Sequence, residues 1–146
     1  MPTVAEILKA KADPSVYTIG PAHPVDDVAR AMAEHNTSAL IVVEGEVIVG
    51  IVTERDLARS TMRREGKAPM RQVRQLMSTD VLTVRLDQTS SECMALMAQK
   101  HVRHLPVVDD GQLVGMISIR DLMYELVEDR GIRMANIVNL IAPKTP

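Results

Sequence analysis

The sequence predicts an α+β fold built from two tandem βαββα repeats that pack together with pseudo-twofold symmetry. The main observation is a motif that occurs twice: residues 50–57 read GIVTERDL and residues 115–122 read GMISIRDL, a spacing of 65. At that spacing, thirteen of the 51 pairs from Val16/Val81 to Gly66/Gly131 are identical. A second observation is that strand and helix patterns follow the same order in both halves. A fixed internal period indicates a repeated structural unit.

The length of the chain favours one compact module rather than two independent domains. A chain of 146 residues is the size of a single domain, whereas a unit of about 65 residues is marginal alone. We therefore expect the two copies to share a core. The predicted first repeat covers 1–70, and the second covers 71–146 with an apolar C-terminal tail that packs on its own domain or on a second chain.

Each copy begins with a predicted lead-in helix. The first covers residues 3–11 with Thr3 as its cap, and its counterpart at 72–77 lies at a spacing of 69. The first copy therefore has about four extra residues, which we place around 11–14. The strand patterns that follow are 16–19, 40–43 and 47–52 in the first copy and 81–84, 105–108 and 112–117 in the second.

Helix signals lie between and after these strands. Thr89 and Glu92 form a capping-box pattern, while Pro24 with two acidic residues marks the start of the corresponding first-copy helix. Thr53 and Ser118 are expected to begin the last helix of each copy, which Gly66 and Gly131 would end. Glycine-containing turns, EGE at 44–46 and DDG at 109–111, predict hairpins.

Composition argues against several classes of protein. Hydrophobic residues make up 46% and charged residues 25% of the chain, and the net charge is −2, which favours neither a membrane nor a nucleic-acid partner. There is no Trp or Phe on which bases could stack. The N-terminus lacks the apolar run of a signal peptide, and no segment approaches 18 consecutive apolar residues. We expect a soluble, cytoplasmic protein.

No residue pattern indicates catalysis or a metal. The four histidines have no metal-ligand spacing with the single cysteine, Cys93, or with an acidic residue. Cys93 lies on an apolar helix face, where a buried small side chain is more plausible than a nucleophile. No phosphate-binding glycine loop is present. The sequence therefore predicts a protein that is not an enzyme.

The repeated motif places a hydroxyl and an acid at two helix starts. Thr53-x-x-Asp56 and Ser118-x-x-Asp121 fit capping boxes in which Asp replaces the usual Glu. The same positions could bind a ligand, because free N–H groups and the helix dipole attract a phosphate and a carboxylate can accept hydrogen bonds from ribose hydroxyls. The two interpretations are compatible, and both stay open.

Two copies of a βαββα unit, each with Gly-apolar-apolar-Thr/Ser-x-x-Asp after a hairpin, resemble a CBS domain pair, also called a Bateman module. The resemblance covers nearly the whole chain and is closest to stand-alone members. It implies that Asp56 and Asp121 contact ribose and that Thr53 and Ser118 lie near phosphate. It also implies ligand contacts for Thr18, Thr83, Arg103, His104 and Arg120.

Some of these assignments have simpler alternatives. Thr18 and Thr83 could be ordinary strand threonines, and Arg120 could form a surface ion pair. The first copy departs from the family pattern, because Ser38 and Ala39 stand where the second copy has Arg103 and His104. Its cleft would then bind phosphate more weakly or use charge from the other copy.

The resemblance implies a non-catalytic regulatory module. Such a module binds an adenosine nucleotide such as AMP, ADP, ATP or NADH in clefts between the repeats, with no obligatory cofactor, and signals by a conformational change to an unidentified target protein. It also implies a homodimer. The alternative is a ligand-free structural or protein-interaction module in which the Thr/Ser-x-x-Asp motifs cap helices and nothing more.

Overall fold

The computed structural model of the chain describes residues 1–62, 66 and 68–130, with side chains described through Glu128. Its first half contains α1 (Val4–Ala10), β1 (Thr18–Ile19), α2 (Val25–His35), β2 (Ala39–Glu44), β3 (Val47–Thr53) and α3 (Glu54–Ser60). The second half contains α4 (Val73–Leu76), α5 (Ser90–Lys100), β4 (His104–Asp109), β5 (Gln112–Ser118) and α6 (Ile119–Arg130). The predicted α+β fold with two tandem repeats is confirmed. The apolar tail and the Gly131 helix end lie outside the described residues, and the prediction that Gly66 ends the first-copy helix is wrong, because α3 already ends at Ser60 with Thr61 as its cap.

Each half is built on a small sheet. In the first half β1 runs parallel to β2, and β2 pairs with β3 in an antiparallel hairpin. In the second half β4 and β5 form the equivalent hairpin. The two-residue loops at Gly45–Glu46 and Asp110–Gly111 confirm the predicted turns, because Gly45, Asp110 and Gly111 all adopt positive φ.

The strand predicted over 81–84 is reduced to one residue. Only Val84 pairs with the hairpin, in a parallel bridge to Val107. Its N–H donates to Pro106 O at 2.9 Å, and its carbonyl accepts from Val108 N–H at 2.9 Å. The chain then turns at once, since the Arg85 N–H donates to the Gln88 side chain at 2.8 Å. That turn removes the backbone from the sheet edge.

Each lead-in helix packs into the core of the opposite half, an arrangement that we call the exchange. Val4 and Ile7 of α1 are buried in a core made otherwise of second-half residues, including Leu105, Ile117 and Leu122. Val73 and Leu76 of α4 are buried in the first-half core in the same way. Each copy therefore completes the hydrophobic core of the other.

The repeated glycine of the motif is explained by this exchange. A Cβ on Gly115 would lie 2.7 Å from the Leu8 side chain, and a Cβ on Gly50 would lie 2.6 Å from Met77 Sδ and 3.0 Å from Ser78 O. The lead-in segment of one copy thus crosses directly over the hairpin of the other. At Gly50 a side chain would press on the Ser78 backbone, and at Gly115 it would force the Leu8 side chain to move, so glycine lets the two segments pack closely.

The two halves also meet along a third cluster, which we call the seam. Its buried residues are Ala39, Ile41 and Met116, and partly buried Ile51 and Leu113 pack against them. Ala39 and Ile41 come from β2, whereas Met116 comes from β5. The seam therefore joins the hairpin of one repeat directly to the hairpin of the other.

The exchange predicts that α1 stabilises the whole molecule. We expect Ile7→Ala to lower the free energy of unfolding by about 2–5 kcal/mol, the cost of truncating a buried isoleucine. Ile7 is only 2% exposed. Lys9→Ala on the exposed face of the same helix is the control, with a change within about 0.5 kcal/mol. Urea denaturation measures both, and a loss below about 1 kcal/mol for Ile7→Ala would show that α1 does not dock.

Candidate functional site

The start of α3 is a capping box formed by two predicted site residues. The Asp56 carboxylate accepts a hydrogen bond from Thr53 N–H at 2.8 Å and another from Thr53 Oγ1 at 3.1 Å. In return, Asp56 N–H donates to Thr53 Oγ1 at 3.4 Å. The capping interpretation is confirmed for the first copy.

The start of α6 repeats this arrangement. Ser118 N–H donates to Asp121 Oδ2 at 2.8 Å, and Asp121 N–H donates to Ser118 Oγ at 3.3 Å. In both boxes the aspartate uses only Oδ2. Among the described residues, Oδ1 of Asp56 and Oδ1 of Asp121 have no hydrogen-bond partner. The cap therefore leaves one oxygen of each carboxylate free to accept a hydrogen bond from a ligand.

Strand pairing brings Arg103 and His104 to the start of α6. His104 is directly opposite Ser118 in the β4–β5 hairpin. The Ile119 N–H at the first turn of α6 donates to Arg103 O at 2.8 Å. Residues that are 14 and 16 positions apart in the sequence therefore lie side by side. The hairpin in the first copy does the same with Ala39 and Thr53.

His104 links the two halves. Its Nε2 lies 2.8 Å from Ser38 Oγ of the first copy, at one end of the seam. Burial lowers the pKa of the imidazole below its usual value; the Asp121 carboxylate opposes this shift, whereas the Arg103 and Lys11 charges add to it. The ring is therefore neutral at pH 7, and a neutral ring suits a hydrogen bond to a hydroxyl.

Lys11 joins this group and was not predicted. Its Nζ lies 3.1 Å from Asp121 Oδ2 and donates to Met116 O at 2.9 Å. The side chains of Lys11 and Asp121 are 21% and 16% exposed, so most of this ion pair is shielded from water. The sequence pointed to Lys11 only through the extra segment around 11–14, and an alignment of the repeats cannot show which element that segment contacts.

The remaining predicted residues lie nearer the surface. Thr18 is exposed on β1, where it pairs with Ile41, and Thr83 is exposed next to the Val84 bridge. Arg103 and Arg120 are exposed beside the start of α6. An open groove of about 480 Å³ in the first half includes Thr18 with Ile19, Gly20, His23, Asp27, Arg30, Ala31, Glu34 and Val43. The groove includes neither of the two capping aspartates.

The family follows from comparison with known proteins. The model of the CBS domain matches residues 4–63 and again 73–128. The chain belongs to the CBS-domain family. This confirms the resemblance seen in the sequence, since the two matches correspond to the two repeats.

This CBS-domain chain is similar to several known proteins. The CBS domain-containing protein YhcV of Bacillus subtilis is 35% identical over 126 residues, which cover 84% of this chain and 88% of that protein. The structure of a CBS-domain protein from Burkholderia ambifaria is 43% identical, with a TM-score of 0.82 and coverage of 90% of this chain and 98% of that one. The cytosolic domain of the Mg²⁺ channel MgtE, solved in complex with ATP, is 27% identical with a TM-score of 0.62. That match covers 77% of this chain and 45% of the MgtE chain.

The described residues of the CBS pair give little support for a cysteine nucleophile, a metal site or a membrane-spanning helix. Cys93 is buried, and burial raises the pKa of its thiol, so the thiolate needed for nucleophilic attack is disfavoured. Within residues 1–62, 66 and 68–130, no three His, Cys, Asp or Glu side chains are grouped as a metal site. None of the described helices has the length and hydropathy of a bilayer-spanning segment.

The environment of His104 predicts a pH dependence of stability. Because its pKa is lowered on folding, the unfolded chain binds the proton more readily, and stability decreases as the pH falls through the unfolded-state pKa of about 6.5. We expect the loss of unfolding free energy between pH 7.5 and 5.5 to be smaller in His104→Gln than in the wild type. Urea titrations at both pH values measure this difference.

The control for this prediction is a histidine that lies in water. His101 is exposed and ends α5 with a positive φ of 56°, so His101→Asn keeps a residue that tolerates that conformation. This variant should keep the wild-type pH dependence. The same pH dependence in His104→Gln and the wild type would contradict the assignment to His104.

Proposed function

We propose that this CBS pair is a non-catalytic regulatory module that binds an adenosine-containing ligand between its halves, beside the starts of α3 and α6. The observation that carries the proposal is that each aspartate uses its two carboxylate oxygens differently. Oδ2 caps the helix, whereas Oδ1 has no partner among the described residues. A carboxylate oxygen held in a fixed position can accept hydrogen bonds from ribose hydroxyls without loss of the cap.

The groups around Asp121 are suited to the phosphate of such a ligand. The Ser118 hydroxyl and the Arg120 N–H, in the first turn of the twelve-residue helix α6, can donate hydrogen bonds to a phosphate. Arg103 and His104 lie beside them through the hairpin pairing. The likeness to the MgtE domain in complex with ATP supports an adenosine ligand for this chain as well. AMP, ADP, ATP and NADH share the adenosine group.

The signal would arise at the seam. His104 of the second half contacts Ser38 of the first half, so a ligand that touches His104 also changes a contact between the halves. A ligand shifts such an equilibrium only by its difference in affinity for the two arrangements. Binding at this point would therefore be transmitted as a change in how the repeats pack.

The proposal includes a homodimer and a target protein in the cytoplasm that receives the signal. Three apolar side chains offer contact surface, since Val47, Val114 and Tyr124 are 64%, 43% and 51% exposed. We expect a mass of twice the chain by light scattering at micromolar concentration. A monomer at that concentration would exclude the dimer and leave the ligand proposal unaffected.

Binding is tested by calorimetry on the full chain with AMP, ADP, ATP and NADH. We expect at least one of them to bind at sub-millimolar concentration. Asp121→Ala should then weaken binding by about tenfold or more, in keeping with the loss of a charged hydrogen-bond acceptor. The matched control is Glu92→Ala, which removes an equivalent capping box from α5 and should not change the affinity.

The comparison of these two variants separates capping from binding. Equal effects of Asp121→Ala and Glu92→Ala on affinity would show that Asp121 acts through helix stability alone. Failure of all four nucleotides to bind the wild type would favour the ligand-free interaction module instead.

A further inference from the structure

The two helix starts have the same cap but different charges around it. At α6, Asp121 is paired with Lys11, and Arg103 and His104 lie next to it. At α3, Asp56 has no basic partner within 4.0 Å among the described residues. Ser38 and Ala39 occupy the positions that correspond to Arg103 and His104.

The position of Lys11 follows from the exchange of lead-in helices. Lys11 ends α1 with extended backbone angles, φ −65° and ψ 137°. Leu8, three residues earlier, packs over Gly115 in β5. The end of α1 is therefore fixed next to Met116, whose carbonyl accepts from Lys11 Nζ. The corresponding helix α4 ends with Met77 and Ser78 against the other hairpin, and Ser78 pairs with Ile51 through the backbone.

Shielding from water strengthens the interaction of the Lys11 charge with neighbouring charged groups. With side chains 21% and 16% exposed, the Lys11–Asp121 pair lies in surroundings of lower effective dielectric constant than a surface pair. Burial lowers the pKa of the His104 imidazole most, and the charges of Asp121, which raises it, and of Arg103 and Lys11, which lower it, also act on the ring, so the four groups share one electrostatic neighbourhood. Two cations there outnumber one carboxylate, whereas the corresponding first-half residues Ser38, Ala39 and Asp56 supply a carboxylate alone.

We propose that Lys11 is a specificity-determining residue that makes the Asp121 end of the seam select phosphorylated adenosine ligands over uncharged ones. Lys11 bonds to Asp121 Oδ2 and leaves Oδ1 for the ribose. Its charge offsets the repulsion that Asp121 would exert on a phosphate. The Asp56 end, without such a cation among the described residues, would accept an uncharged adenosine derivative more readily than a phosphorylated one. This inference rests on the proposed adenosine-ligand function.

Calorimetric titration of the full chain with adenosine and with AMP tests the assignment. We expect the wild type to bind AMP more tightly than adenosine. Lys11→Met should lower the affinity for AMP by about tenfold and change that for adenosine by less than about threefold, because the loss is one of charge attraction. Lys11→Arg should retain the preference, since it keeps the positive charge.

Two further variants control for structure. Lys9→Met removes a lysine from the exposed face of the same helix and should alter neither affinity. Lys11→Gln keeps a donor for Met116 O while it removes the charge, so it should behave like Lys11→Met and replaces that variant if its folding is impaired. Thermal denaturation of each variant verifies the fold.

The outcomes distinguish this inference from the function on which it rests. If both ligands bind and neutral substitution of Lys11 leaves the AMP-to-adenosine preference within about twofold of the wild type, Lys11 does not set specificity. If the same substitution strengthens adenosine binding and leaves AMP binding unchanged, Lys11 blocks the ribose position, which also contradicts the inference. If AMP, ADP, ATP, NADH and adenosine all fail to bind the wild type, the proposed function itself is wrong.

Discussion

The structure depends on the packing of each lead-in helix against the opposite repeat. Val4 and Ile7 are buried in the second-half core, and Val73 and Leu76 in the first-half core. A unit of about 65 residues buries too little apolar surface to be stable by itself. Because each core contains residues from both copies, neither half can lose its structure without removing part of the other. This interdependence is a physical reason for the two repeats to occur in one chain.

The exchange also determines which residues meet at the candidate site. It carries Lys11 to the Asp121 carboxylate, and it accounts for the glycine that begins each repeated motif. The Leu8 side chain needs the space that Gly115 leaves, and Met77 needs the space that Gly50 leaves. The repeated motif thus combines a packing requirement at its glycine with a polar helix start at its hydroxyl and acid. The proposed ligand would use only the second of these features.

Duplication has produced two helix starts that are alike in backbone and different in charge. Both aspartates cap their helices through one oxygen, with distances of 2.8 Å to the N–H of Thr53 and of Ser118. The surrounding side chains differ, since only the Asp121 end has Lys11 and His104 beside it. A pair of repeats can therefore keep one stable scaffold while its two ends acquire different ligand preferences.

The sequence by itself determined the repeat, the order of elements, the hairpin turns and the capping boxes. These features depend on residues close together in the chain, such as Thr53 with Asp56. The reduction of the 81–84 strand to Val84 could not be predicted, because β propensity does not reveal that the chain turns away after that residue. Only the tertiary structure decided that α1 packs in the second half, that Lys11 pairs with Asp121, and that Ser38 meets His104. The last two contacts join residues separated by 110 and 66 positions, and all three arise from the crossing of the two halves.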